Sequence, residues 1–154
     1  MKLKSFILDD ILPIITTGAL VYTNMKKIIP PEHFKSILFA CAFLPWLAYY
    51  FAGMIPIIFT GKYITSVAWS NIFLFIDFST CLYFVYLNLN IKMSKKEYSL
   101  WLLLTCFWFL LAILDFFSPN GKGFMQESIV MWYIMLAIGL ITNIAEIYWY
   151  KKIK

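Results

Sequence analysis

The sequence predicts an all-α fold, a polytopic membrane helix bundle, and three observations predict it. The 154 residues are 62% hydrophobic and only 14% charged, whereas a soluble domain is nearer half apolar and one quarter charged. The apolar residues gather into runs long enough to cross a bilayer core of roughly 30 Å, separated by short lysine- and proline-bearing connections. Within those runs the few polar residues recur at steps of three and four, which places them on one side of a helix. No linker, repeat or long loop divides the chain, so residues 1–154 read as a single transmembrane domain.

The run Ile64–Leu89 organises the rest. One face carries Ser66, Ser70, Asp77, Thr80, Cys81 and Asn88, interrupted by Phe73 and Phe84. The other surface, with Ile72, Phe75, Ile76, Phe78, Leu82 and Val85, suits lipid or neighbouring helices. Asp77 falls near the bilayer midplane, where a carboxylate requires a partner, a proton or water. Thr105 and the Ala52 carbonyl lie within about one turn of it in depth and are candidate partners.

Before this run, Ser5–Met25 carries two polar rows, Asp9, Thr16, Thr23 and Asp10, Thr17, Asn24, with no lysine among them. Such a face suits a tilted span turned toward a bundle interior better than a helix lying among headgroups. Its length argues the other way, since only about 15 residues separate Asp10 from Lys26. The reading is therefore five spans, with four spans plus an N-terminal amphipathic helix as the alternative. Lys26–Lys35 is a loop punctuated by Pro30 and Pro31, and Ser36–Thr60 is the second span. Pro45, Gly53 and Pro56 predict a kink in it, because each proline withdraws the donor for the carbonyl four residues earlier.

Ser99–Phe117 and Ser128–Tyr150 complete the spans, the last with a polar face of Gly139, Asn143, Glu146 and Tyr150. Between them, 118–123 is turn chemistry rather than a phosphate cradle, since no strand precedes it. Trp69, Trp101, Trp132 and Trp149 fall near span ends, as an aromatic belt would, while Trp46 and Trp108 do not.

All 13 basic residues are lysine, and they flank the apolar runs. Topology and inner-leaflet lipid account for the net charge of +5 better than nucleic acid does. With five spans, nine lysines fall on one side and four on the other; with four, eleven and two. Either way the C-terminus is expected in the cytoplasm, with the bacterial inner membrane as the expected location.

Several chemistries fall away. His33 is the only histidine, so bis-histidine haem and three-histidine metal sites cannot be built within one chain. No nucleophile motif marks a serine. Cys41, Cys81 and Cys106 lie inside apolar segments without paired spacing, which argues against disulfides or zinc. No catalytic residue, metal or cofactor is expected.

What remains is an intramembrane polar site of Asp77, Ser70, Thr80, Asn88, Asp115, Asn143 and Glu146, with the three acids at three depths. Carboxyls in series suit proton, cation or small-solute translocation, and they equally suit hydrogen bonds that hold helices together. The alternatives are a non-catalytic membrane subunit or immunity-type protein that binds another membrane protein, and a lipid-binding or lipid-modifying protein with a site at the Pro45 kink. Membrane lipids, another membrane protein or a second copy are the expected partners. Met54-Ile55-Pro56, Ala68-Trp69 and the Asp77 that follows resemble the YvaD-like family of small bacterial four-span proteins. That resemblance covers about residues 40–150 and implies a compact four-helix unit of no established activity.

Overall fold

A computed structural model describes Leu3, Ile7 and residues 11–61, 67–117 and 129–153, with side chains for 11–61, 72–115, 117 and 130–153 within those ranges. Among the described residues every regular element is a helix: α1 (Leu12–Met25), α2 (Pro31–Tyr49), a π-helical turn (Tyr50–Met54), α3 (Ile55–Thr60), α4 (Val67–Asn90), α5 (Lys95–Phe116) and α6 (Ile129–Lys152). The second helix, the π turn and α3 join into one rod, Pro31–Thr60, of 30 residues. That rod, α4, α5 and α6 are the four described helices long and apolar enough to cross a membrane.

Helix α1 has 14 described residues, about 21 Å of rise, which falls short of a ~30 Å core. It packs against α4, but its polar rows do not turn to other helices. Thr16 donates to the Leu12 carbonyl, Thr23 to that of Leu20, and Asn24 is exposed. Asp9 and Asp10, on which a fifth span also relied, lie outside the described residues. The helix closes with Lys27 in the left-handed region, where Lys27 N–H meets the Asn24 carbonyl and Ile28 N–H that of Thr23.

Prolines and caps set the other boundaries. Pro31 occupies the first position of α2, where a missing N–H costs nothing, so the helix starts five residues before the expected Ser36. The fourth expected span likewise begins at Lys95 rather than Ser99. Ser94 Oγ accepts from Glu97 N–H, and a Glu97 carboxylate oxygen accepts from Ser94 N–H at 2.8 Å. This Ser-x-x-Glu box was legible in the sequence and extends the helix by a turn.

Of the three residues expected to disturb the rod, Gly53 and Pro56 mark the irregularity and Pro45 does not. The helix continues through Pro45, and register changes only at Tyr50–Met54, where Ile55 N–H reaches back five residues to the Tyr50 carbonyl. Pro56 then has no N–H to offer, and Gly61, at φ +65°, ends the rod. The wider turn brings successive side chains closer in direction, so Tyr49 is buried while the neighbouring Tyr50 also reaches inward.

Helix α4 is the centre of the bundle. Of its membrane-length window, 56% of residues are buried, against 28–39% for the other three spans. Rings from all four spans meet around it. Tyr49 of α2 stacks on Trp132 of α6 at 5.6 Å, and Phe73 of α4 sets its edge against both at 5.4 Å. Trp46 of α2 meets Trp108 of α5 at 5.2 Å, edge to face. Trp101, Trp132 and Trp149 are all buried in this core, so they do not form the expected belt facing headgroups. A belt residue faces outward, and their indoles fill gaps between helices instead. Trp69 lies in α4, its side chain outside those described.

The polarity is inverted relative to a protein in water. Leu44, Phe51, Phe59, Leu103, Phe109 and Ile144 are exposed, whereas Asp77, Ser79, Thr80, Asp115, Thr142, Asn143 and Glu146 are buried. Only an apolar solvent makes that arrangement favourable, and the protein is a small integral membrane helix bundle. One close approach locks α6 to α2: a methyl group on Gly139 would overlap the ring carbons of Trp46. Gly139→Ala is therefore expected to destabilise the bundle by about 1–3 kcal/mol through overpacking, seen as a lowered unfolding temperature in detergent. Gly18→Ala, inside a helix with open space around it, should not lower that temperature.

Candidate functional site

The central helix carries Asp77 with no accessible surface, on the same buried strip as Phe73, Thr80, Cys81 and Phe84. The sequence spacing placed these residues together, and the structure keeps them together. The partner is not the expected Thr105 or Ala52. Thr105 donates to the Trp101 carbonyl of its own helix, and Ala52 is exposed on the rod. Instead Asp115, a second buried acid, comes from α5 to lie near Asp77. Asp115 was expected nearer the outer surface. In the bundle its side chain is buried.

Two carboxylates offer acceptors and no donor. Neither oxygen of Asp77 accepts a hydrogen bond from any described residue, and Thr80 Oγ1 beside it is also without a partner. One proton held between the acids turns the contact into a hydrogen bond and removes the repulsion of two bare charges in an apolar interior.

Glu146 forms a second, separate site. Its carboxylate is fully buried, with one oxygen 3.4 Å from Asn143 Nδ2 and the other without a partner. Asn143 Oδ1 accepts from the Tyr50 hydroxyl at 2.6 Å, across from the π turn. The Tyr83 hydroxyl of α4 donates to the Glu146 backbone carbonyl at 3.0 Å. Tyr83 lies six residues beyond Asp77 on one helix, which separates the two sites by about 9 Å of rise. Next to this cluster Trp108 Nε1 donates to Thr142 Oγ1 at 2.9 Å.

The expected stripe of seven residues therefore resolves into two clusters. Asp77, Thr80 and Asp115 form one, Asn143 and Glu146 the other. Asn88 is exposed near the end of α4 and joins neither, because the strip drifts outward as the helix leaves the bundle. Ser70 lies in α4, with its side chain outside those described. Tyr50, Tyr83, Thr142 and Trp108 were missed. Reading aromatics as apolar hid them, although a buried phenol or indole ordinarily requires a hydrogen-bond partner.

Among the described residues no three of His, Cys, Asp and Glu come together as ligands for a metal ion. No family model, no curated protein and no solved structure matches this chain, so its functional reading rests on its own geometry. The Tyr50–Asn143 hydrogen bond should be a distinct, measurable coupling. In a double-mutant cycle of Tyr50→Phe and Asn143→Leu followed by unfolding in detergent, an interaction of about 0.6–1.7 kcal/mol is expected.

Proposed function

We propose that this protein is a small transport protein whose Asp77–Asp115 pair takes up and releases a proton while a proton or small cation crosses the membrane. One observation carries the reading: a fully buried carboxyl whose oxygens accept nothing, beside a second carboxyl from the adjacent helix. A carboxyl needed only to hold helices together gains most against a donor such as a hydroxyl or amide. Two acids facing each other in an apolar interior need a proton or a cation between them, which supports a group that takes one up. Glu146 supplies a second station along the same central helix.

The test is flux. Purified protein reconstituted in vesicles should dissipate an imposed proton gradient, read by a trapped pH-sensitive dye, and Asp77→Asn should abolish this while preserving the fold. Asparagine keeps the shape and the hydrogen-bonding capacity but cannot titrate. Asp115→Asn should do the same, since the two acids act as one site. Flux unchanged by Asp77→Asn overturns the reading.

A second reading is supported by the aromatic packing. The interior is filled by rings from every span, which suits a non-catalytic membrane subunit in which the acid pair is a packing element. In that case Asp77→Asn is nearly neutral and Asp77→Leu costs about 1 kcal/mol, the scale of interhelical hydrogen bonds in membranes.

The orientation belongs to the same proposal. The basic ends of three spans gather at one end of the bundle: Lys35 Nζ donates to the Ile153 carbonyl at 3.0 Å, and Lys152 pairs with Glu97. We place that end in the cytoplasm of a bacterial inner membrane, following the lysine bias. In a background lacking Cys41, Cys81 and Cys106, Lys95→Cys should resist an impermeant thiol reagent applied from outside. Lys122→Cys, at a position outside the described residues, should react. Outside labelling at position 95 reverses the topology.

A further inference from the structure

We propose that the cleft between α5 and α6 is a binding site for one anionic phospholipid, with an acyl chain in the cleft and its phosphate against the lysines at the mouth. The two helices are tied at two levels and lie apart between them. At one end Glu97 pairs with Lys152, and further in Trp108 donates to Thr142. Between these ties runs an open groove of about 300 Å³ with an apolar wall, the lower end of the range for small-molecule sites. It exists because Ala145, facing Leu100, is too small to fill the space bounded by Ile141, Ile144 and Tyr148.

Three features select the occupant. Ile141, Ile144 and Tyr148 are about half exposed or more on a face turned to the membrane, so the medium that meets the groove is hydrocarbon. The distance from Glu97 to Trp108 is about 16 Å of helix, close to half of a ~30 Å core, which is the depth of one leaflet's acyl chain. A partner's helix would extend through both leaflets and would not be stopped by the Trp108–Thr142 tie. At the mouth, Glu97 is the one acid and is already engaged by Lys152 and by Ser94 N–H. Lys95, Lys96 and Lys151 are exposed there and form no ion pair among the described residues, so the mouth favours a negative headgroup. Lys152 also lies 4.5 Å from the centre of the Tyr148 ring, which holds its ammonium over the groove entrance. The inference is independent of the acid pair and needs only that the bundle spans a membrane.

The full-length protein can be reconstituted in phosphatidylcholine vesicles doped with phosphatidylglycerol bearing a photoactivatable acyl chain. Adducts mapped by mass spectrometry are expected on Leu100, Ile141, Ile144 and Tyr148. The yield should be several-fold to about tenfold above that of the same probe on phosphatidylcholine. Lys95→Gln, Lys96→Gln and Lys151→Gln together should abolish the headgroup preference while leaving the adducts in the groove. Ala145→Leu, which fills the groove, should remove the adducts with either headgroup. Equal yields for the two headgroups in the unaltered protein, adducts spread evenly around the bundle, or cross-links between copies in place of groove adducts would each overturn the proposal. The comparison of headgroups in the unaltered protein decides the matter even if Ala145→Leu does not fold.

Discussion

The enclosure of α4 by the other helices is the constraint from which the rest follows. A helix wrapped on nearly every side cannot turn a carboxyl out to headgroups or water, so Asp77 must be accommodated where it stands. The bundle does this by bringing a second acid, Asp115, to it from α5. Neither acid can donate to the other unless it carries a proton. The same enclosure brings Tyr83 to the backbone of Glu146, so both acid sites are held by one helix. Displacement of α4 would therefore disturb both together.

Aromatic rings take the place that aliphatic side chains hold in many cores. Large flat groups span the gaps between helices, and they meet edge to face more often than in parallel. The arrangement demands room at particular points. Gly139 provides it for Trp46, and the π turn provides it for Tyr49 and Tyr50 by relaxing the winding of the rod just ahead of Pro56. The π turn also directs the Tyr50 hydroxyl to Asn143, so a departure from regular helix serves both packing and the Glu146 site.

One end of the bundle concentrates charge while the interior concentrates rings. Glu97 has two tasks there: one oxygen caps α5 and the other meets Lys152 of α6. A surface ion pair of this kind contributes little stability by itself. Its consequence is geometric, since it fixes the spacing of two helices that diverge below it and so shapes the apolar groove between them.

Membrane residence, the helical class and the placement of Asp77 within an apolar helix were set by the sequence alone. These depend on local quantities, namely the length of apolar runs, the placement of lysines and the period of polar residues, all of which are properties of one helix at a time. The Ser94–Glu97 cap belongs to the same class, for both residues lie within one turn of one helix, whereas the approach of Gly139 to Trp46 joins two helices and does not. The pairing of Asp77 with Asp115, the separation of Glu146 into a site with Tyr50 and Asn143, and the burial of Trp101, Trp132 and Trp149 were decided only by tertiary structure. Each depends on the relative rotation and axial shift of two helices, and a helical turn of error moves a side chain by about 5 Å, enough to exchange one partner for another. Depth along a single helix can be counted from the sequence; register between helices is fixed by how their surfaces interlock.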